Sequence, residues 1–238
     1  SVFCNLTEDD IFRSIAEMKK NIDECHILML CGGFSAGDEP DGSGKFIANV
    51  LNNKEIADAI LSGAYKIETR AVLEAAVETD GVEMNISPYA VNEMTVRRSD
   101  SAMIGVDVCV DGVRLPTYWG DGLVISTSSG STAYSLSVGG PIVLPQSKVL
   151  IISPIAPHNL NVRPLVVPDT SEIVITSQSR DGHFEFSADT RTCDMPETTR
   201  INIKMAQFSL KRVQLNRSNF IDALTEKLFW GEDVRNIK

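Results

Sequence analysis

Residues 121–142, DGLVISTSSGSTAYSLSVGGPI, place an apolar run directly before a cluster of serine, threonine and glycine. The run predicts a buried strand over 122–127, followed by a turn over 128–131 because Gly130 permits backbone angles that other residues resist. A helix is expected from about Thr132, capped by Ser131 or Thr132. Free N–H groups at a helix start bind anions or polar ligand groups. A simple capped connection between strand and helix explains the pattern equally well.

Period-two alternation of apolar and polar residues takes over after about residue 63 and continues through most of the chain. Val106, Val108 and Val110 share one face, and Asp111-Gly112 after them predicts a tight hairpin turn. Further β patterns occupy 149–155, 172–178, 183–189 and 201–215. This spacing predicts a sandwich or another sheet-rich domain.

Helical patterns lie at the two ends of the chain. Residues 7–24 and 44–62 read as helices on either side of a short apolar strand at 26–30, and the stretch 31–44 is a loop rich in glycine and aspartate. Helix, strand, loop and helix make an α/β unit. Near the C-terminus residues 218–234 are helical again, with three apolar residues on one face: Phe220, Leu224 and Leu228.

Bulk composition limits the classes of function. The 238 residues are 43% hydrophobic, enough for a core, and the net charge of −10 disfavours a groove for DNA or RNA. No apolar run is long enough to span a membrane, and the first 20 residues do not resemble a secretory signal, so we expect a cytoplasmic protein. Five cysteines without a CxxC pair and three scattered histidines indicate neither a disulfide framework nor a metal site.

Three blocks of sequence together resemble the NAD kinase family. They are Asn92-Glu93, the stretch 121–142 quoted above, and PIAPHNLNVRPLVV at 154–167; LSGAYKIETRAVLE at 61–74 is similar to the segment by which those enzymes enter their C-terminal domain. The resemblance implies a NAD kinase-type β-sandwich domain over 63–238, with a C-terminal helix that returns to the first lobe. It also implies transfer of the γ-phosphoryl group of ATP to the 2′-hydroxyl of NAD with Mg²⁺, and assembly into dimers or tetramers.

The same resemblance implies a set of NAD-binding residues. Asn92 and Glu93 would contact the bound NAD, and Asp121 would accept hydrogen bonds from the nicotinamide or adenine amino group. The remaining residues would line the nucleotide pocket: Thr132, Ala133, Tyr134 and Ser137. Taken without the family blocks, Asn92-Glu93 is typical of a solvated strand edge and Tyr134 of a core residue.

The chain departs from the family pattern in two places. Thr127-Ser128-Ser129 stands where the family usually has Thr-Pro-Thr, which is expected to loosen the turn. The family's Gly-Gly-Asp-Gly loop, whose aspartate is thought to act as general base and to help hold the ATP phosphates and metal, is absent from the sequence. Among the acids of the N-terminal loop, Asp38 is the best substitute for that base, although a loop carboxylate can equally be no more than solvated.

The first 60 residues resemble another family. The stretch 25–53, CHILMLCGGFSAGDEPDGSGKFIANVLNN, is similar to a segment of the glutaminase domain of phosphoribosylformylglycinamidine synthase. There the Gly-Gly-Phe-Ser loop helps to form an oxyanion site, but the nucleophilic cysteine elbow and catalytic histidine have no counterpart here, and Cys31 reads as a buried strand end. The resemblance implies a short flavodoxin- or Rossmann-like α/β lobe over 1–62. The chain as a whole is α/β plus β, and we interpret it as a chimera, natural or engineered, joined near 44–61.

Four hypotheses for function follow. The first is a NAD kinase-like phosphotransferase acting on ATP and NAD. The others are a module that binds NAD or NADP without turnover, a structural chimera with neither activity, and, least supported, a fragment of a glutamine amidotransferase. Stabilisation by ligand separates the first two from the third, turnover separates the first from the second, and glutamine hydrolysis would support the fourth.

Overall fold

The computed structural model describes residues 65–215 and 220–228. The predicted α/β lobe of residues 1–62, with its helices, its strand and Asp38, lies outside the described residues. The strands are β1 (Tyr65–Arg70), β2 (Leu73–Val77), β3 (Tyr89–Ala90), β4 (Glu93–Arg98), β5 (Ile104–Val110), β6 (Val113–Arg114), β7 (Tyr118–Gly120), β8 (Gly122–Thr127), β9 (Val149–Ile155), β10 (Leu165–Pro168), β11 (Ile173–Gln178), β12 (His183–Ala188), β13 (Arg191–Pro196), β14 (Ile201–Met205) and β15 (Leu210–Leu215). The α-helices are α1 (Tyr134–Ser137) and α2 (Phe220–Leu228), and a 3₁₀ helix covers Ser129–Thr132.

The described residues fall into two compact units. One unit is formed by residues 70–209, and the other contains 65–69, 210–215 and 220–228. In the second of these units β1 pairs with β15, and an ion pair joins Arg212 to Glu68 across 4.0 Å. The helix predicted near the C-terminus is confirmed over 220–228, where Leu224 is buried. No helix among the described residues is long and apolar enough to cross a membrane.

The 70–209 unit is built from two antiparallel sheets. The six-stranded sheet has the order β10-β9-β8-β4-β12-β13, and the second has the order β3-β2-β14-β11-β5-β6 with β7 also paired to β5. Apolar side chains from both sheets form one core cluster, which includes Met94, Leu123 and Phe186 from the first and Val106 and Ile203 from the second. The predicted sheet-rich domain is therefore confirmed in this unit, which is mostly β-structure with few helices.

Strand β8 occupies the predicted range 122–127 and is buried along its whole length. Its side chains alternate, so Leu123 and Ile125 point into the core, where they lie opposite Val96 and Met94 of β4 in the strand register. Ser126 belongs to the other face and lies opposite Glu93. A strand that is buried on both faces needs something to cover its outer side, and the residues that follow it supply that cover.

The hairpin at Asp111-Gly112 also agrees with the sequence. Asp111 has φ 50° and Gly112 has φ 81°, the positive values that a type I′ turn requires at both central residues. The Asp111 carboxylate accepts the N–H of Glu172 at 2.8 Å, which fixes the turn to the neighbouring strand. Val106 and Val108 are buried on the core face, as the alternation predicts.

The helix predicted from about Thr132 begins two residues later, at Tyr134, and is short. A 3₁₀ helix ends at Thr132, Ala133 interrupts it with φ −100° and ψ −131°, and α1 is a single short turn after that. The expected cap by Ser131 or Thr132 is wrong, because Ala133 occupies the N-cap and no side chain caps the helix. The Ser131 hydroxyl is used elsewhere: it bonds both the N–H and the C=O of Val143, each at 3.1 Å.

Candidate functional site

The outer face of β4 presents a row of polar side chains beside the buried core. Glu93, Thr95 and Arg97 alternate with the core residues Met94 and Val96. The Thr95 hydroxyl lies 2.6 Å from that of Ser187 on β12 in a buried hydrogen bond, and Arg97 Nε donates to Glu185 Oε1 at 3.0 Å. These cross-strand pairs make β4 and β12 the polar floor of the candidate site.

Hydroxyl groups attach the segment after β8 to the rest of the 70–209 unit. Thr127 and three of the serines after it bond to residues distant along the chain. Their bonds are Thr127 Oγ1 to Val91 O at 2.7 Å, Ser128 Oγ to Pro145 O at 3.0 Å, Ser131 Oγ to Val143 as above, and Ser135 Oγ to Ser153 Oγ at 3.2 Å. The small hydroxyl residues after the buried strand therefore have a structural reason to be there. They satisfy buried polar groups where the chain folds back over the sheet.

Ser128 occupies the position where the family resemblance leads us to expect proline. Its φ of −57° lies in the range that a proline ring imposes. Its buried hydroxyl donates to the Pro145 carbonyl. The hydrogen bond from Ser128 to Pro145 thus restricts the backbone at the turn that the sequence predicts to be loose.

Gly130 lets the loop approach Asn92 closely. A Cβ atom at Gly130 would lie 2.1 Å from the backbone oxygen of Asn92, far inside contact distance. The same oxygen accepts the N–H of Thr127 at 2.9 Å, and Thr127 Oγ1 accepts the N–H of Gly130 at 3.1 Å. Only glycine fits this approach, so the loop and Asn92 are held together as one structure.

Asp189 holds the other side of the same stretch. It occupies the turn between β12 and β13 with φ 52°, and its carboxylate accepts three consecutive backbone N–H groups: Val91 at 2.9 Å, Asn92 at 2.9 Å and Glu93 at 3.2 Å. Its own N–H donates to the Glu93 carbonyl at 2.9 Å. Asp189 was not predicted from the sequence, where its one signal is an aspartate at the end of an alternating run.

Glu93 is the most perturbed acid of the site. Burial and, after it, the negative charge of Asp189 raise the pKa of its carboxyl, and the backbone N–H of Tyr134 acts in the opposite direction by donating to the carboxylate; the net result is a pKa of about 7. Within the described part of the chain, neither Glu93 Oε2 nor the Ser126 hydroxyl has a hydrogen-bond partner, although both are buried. Unpaired buried polar atoms are costly, and they occur where a ligand can complete the bonding.

Tyr134 joins α1 to the floor of the site. Its backbone N–H reaches Glu93, and its hydroxyl hydrogen-bonds with Arg97. The Glu185 bond is the main cause that raises the pKa of the Arg97 guanidinium, and the Tyr134 contact adds to it. Tyr134 is partly exposed, so it is a wall of the site and not part of the core cluster.

The structure brings some of the predicted NAD-binding residues together and separates others. Asn92, Glu93, Ala133 and Tyr134 form one group around the start of β4 and of α1. Asp121 lies at the other end of β4, where it forms an ion pair with Arg98 at 2.8 Å and is about half exposed. Two residues flank the group on its α1 side, the partly exposed Thr132 and the exposed Ser137.

Two family comparisons match different parts of the chain. Residues 91–215 match the ATP-NAD kinase C-terminal domain, and residues 5–66 match the CobB/CobQ-like glutamine amidotransferase domain. The two-part resemblance read from the sequence is confirmed.

Similar whole sequences are named NAD kinase. The enzyme of Bacteroides fragilis is 42% identical over 193 residues, and that of Flavobacterium psychrophilum is 39% identical over 194 residues. Each match covers 80% of this chain and 66% of the relative. The chain thus spans just under two thirds of the length of these curated relatives.

Solved structures show the same likeness. Yeast NADH kinase complexed with NADH matches with a TM-score of 0.71 and 26% identity, over 78% of this chain and 56% of that one. An NAD kinase from Archaeoglobus fulgidus in complex with ATP matches with a TM-score of 0.57 and 26% identity, over 68% and 60% of the two chains. The β-structure of the chain therefore resembles that of NAD kinases.

Proposed function

Because the chain belongs to the NAD kinase family through its C-terminal domain, we propose that the site around Glu93 binds NAD. We propose further that the chain transfers the γ-phosphoryl group of ATP to the 2′-hydroxyl of NAD, which yields ADP and NADP. The names of the similar proteins support this activity, and two similar structures hold NADH and ATP.

The single observation that carries the proposal is the state of the Glu93 carboxylate. The backbone N–H of Tyr134 donates to this carboxylate, and Asp189 accepts the backbone N–H of Glu93. Glu93 Oε2 is buried and has no hydrogen-bond partner among the described residues. A hydroxyl group of a bound ribose is a donor that would satisfy this oxygen. Perturbed acids with unmet hydrogen bonds concentrate at functional sites.

The other predicted residues would divide the recognition of NAD among them. We propose that the Asn92 side chain binds next to Glu93 and that Asp121 accepts hydrogen bonds from an amino group of nicotinamide or adenine. The two ends of β4 are several residues apart, and a dinucleotide is long enough to contact both. The rest of the pocket wall would be formed by four residues: Thr132, Ala133, Tyr134 and Ser137.

Mg²⁺ does not fit a site made by the described residues alone. No group of three or more His, Cys, Asp or Glu side chains in the described ranges is placed to hold a metal ion. Mg²⁺ in phosphoryl-transfer enzymes is bound largely by substrate phosphates and water, so we assign no step here to a protein-held metal.

The attack of the ribose hydroxyl requires a group that removes its proton. We propose Asp38 for this role, as the best substitute for the aspartate of the missing Gly-Gly-Asp-Gly loop. Asp38 lies outside the described residues, so the proposal depends on the sequence alone. The role of Asp38 can be tested separately from NAD binding, since a general base affects turnover more than it affects binding of NAD.

A second candidate function is binding of NAD or NADP without turnover. The absence of the Gly-Gly-Asp-Gly loop favours it, because that loop supplies the base in the family that the chain resembles. The amidotransferase-like match over 5–66 also favours it, since it places another kind of sequence where the loop is expected. In either case we propose a homo-oligomer, a dimer or tetramer, and a recombined origin with the join near 44–61.

The decisive experiment is NADP formation from NAD with ATP and Mg²⁺, measured beside calorimetric binding of NAD. We expect Asp38→Asn to lose turnover while it keeps NAD affinity, and Asp121→Asn to lose affinity. NAD binding without any product at high enzyme concentration would replace the kinase with the binding module. Failure of the unmodified chain to bind NAD would remove both and leave a structural chimera.

A further inference from the structure

We propose that Asp189 is a positioning residue of the NAD site, which fixes the backbone of Asn92 and Glu93 so that their side chains meet the ligand. The inference rests on the proposed NAD-binding function and deepens it. Asp189 itself makes no contact that we assign to NAD.

The backbone at Asn92 is held from both of its edges. On one edge the Asp189 carboxylate accepts the N–H groups of residues 91, 92 and 93 within 3.2 Å. On the other edge Thr127 bonds the carbonyls of Val91 and Asn92 at 2.7 and 2.9 Å. Because N–H and C=O groups are both fixed, the peptide planes cannot rotate, and the directions of the Asn92 and Glu93 side chains are set before a ligand arrives.

Asp111 provides a natural comparison within the same unit. It too is an aspartate at positive φ in a tight hairpin turn, and its carboxylate accepts one backbone N–H, that of Glu172 at 2.8 Å. A turn therefore needs only one such bond to be anchored. Asp189 makes three charge-assisted bonds, and all three go to the stretch that carries the proposed ligand-binding side chains.

The charge of Asp189 has a second effect on the site. Burial is the largest cause that raises the pKa of Glu93, and the charge of Asp189 is the second. The hydrogen bond from the Tyr134 N–H lowers that pKa. The nearest counter-charge to Asp189 is Arg191 at 3.9 Å, while Arg97, four positions along β4 from Glu93, is paired with Glu185. Asp189 therefore influences both the direction and the protonation of the Glu93 side chain, a combination that a purely structural turn residue would not have.

The test compares Asp189→Asn with the matched control Asp111→Asn. Asparagine tolerates positive φ as well as aspartate does, but its amide NH₂ faces a backbone N–H where an acceptor oxygen stood. We expect Asp189→Asn to weaken NAD binding at least tenfold and to raise KM more than it lowers kcat. The control should stay within twofold of the unmodified chain. Equal NAD affinity in the two variants would overturn the proposal.

A readout without ligand separates this inference from the proposed function. In Asp189→Asn we expect faster amide hydrogen exchange at residues 91–93 than in the control, and a lower pKa of Glu93 in an NMR titration. If the unmodified chain fails to bind NAD, the proposed function fails, yet the exchange rates still decide whether Asp189 fixes this stretch. Unchanged exchange at 91–93 would overturn the positioning role by itself.

Discussion

Replacement of Glu93 by glutamine is expected to stabilise the protein at alkaline pH. The folded environment raises the pKa of Glu93 from 4.5 to about 7, mainly through burial. A group whose pKa is raised by folding contributes its stability below the unfolded pKa and loses it as the pH rises through the folded pKa. The charged carboxylate therefore costs stability above about pH 7, and glutamine removes that cost.

The magnitude follows from the size of the pKa difference. Each pKa unit corresponds to about 1.4 kcal/mol, so a rise from 4.5 to about 7 corresponds to at most about 3 kcal/mol at full ionisation, and solvent screening of the partly exposed Glu93 lowers this to about 2 kcal/mol. The Tyr134 N–H can still donate to the glutamine oxygen, so the variant keeps the favourable contact. The free energy of unfolding of the glutamine variant should exceed that of the unmodified chain least at pH 4.5, and the difference should grow to about 2 kcal/mol at pH 8.5.

The assay is urea unfolding monitored by the fluorescence of Trp119, which lies in the 70–209 unit. Trp230, the other tryptophan of the chain, is replaced by phenylalanine in both proteins so that the signal reports on this unit alone. Other titrating groups are common to the two proteins and cancel in the difference. A difference between the two unfolding free energies that stays constant from pH 4.5 to 8.5 would refute the assignment of a raised pKa to Glu93.

Five further substitutions test the end of β8 and the segment that follows it. Gly130→Ala forces a Cβ to 2.1 Å from a backbone oxygen, so we expect the free energy of unfolding to fall by more than about 2 kcal/mol and NAD binding to weaken. Gly139 has φ 83° and open space around it, so Gly139→Ala should cost only about 1 kcal/mol of backbone strain. Ser126→Ala removes a buried hydroxyl that has no hydrogen-bond partner among the described residues, and it should be neutral or stabilising. Ser131→Ala breaks both hydrogen bonds to Val143 and should destabilise by about 1–3 kcal/mol. Ser128→Pro should change the free energy of unfolding little, because proline lowers the conformational entropy of the unfolded chain. This gain offsets the loss of the hydrogen bond from Ser128 Oγ to the Pro145 carbonyl. Thermal unfolding and NAD titration of each variant check these outcomes.

The regular β-structure was readable from the sequence because its signals are local. Strand β8 and the Asp111-Gly112 hairpin follow from hydrophobic alternation and from turn residues that accept positive φ. The helix after β8 was not readable in the same way. Its serines have the composition of helix caps, but tertiary partners such as Val143 and Pro145 compete for their hydroxyls and hold the chain in a 3₁₀ turn.

The support of the site could not be predicted, because it depends on contacts distant along the chain. Asp189 and Asn92 are separated by 97 positions, and only the pairing of β12 with β4 brings them together. The sequence motif marked Asn92 and Glu93 as a pair, but it gave no indication of which residue holds their backbone. The raised pKa of Glu93 has the same origin, since burial and the charge of Asp189 both arise from the fold.

The cost that Glu93 imposes on stability fits a binding role. A buried carboxylate with one oxygen that no described residue pairs lowers the stability of the empty protein, and a ligand that supplies a hydrogen-bond donor recovers part of that energy on binding. Glutamine at this position should therefore give a more stable protein with a weaker site. Opposite changes in stability and affinity are the expected signature of a residue retained for its function.

The most direct test of the central claim is a ¹⁵N–¹H correlation spectrum of the chain recorded during a titration with NAD. We expect the largest shifts at the backbone amides of Asn92, Glu93 and Tyr134, with smaller shifts at Asp121. Amides of the Asp111 hairpin should not move. Shifts confined to other surfaces of the 70–209 unit, or no shifts at millimolar NAD, would contradict the assignment of this site to the dinucleotide.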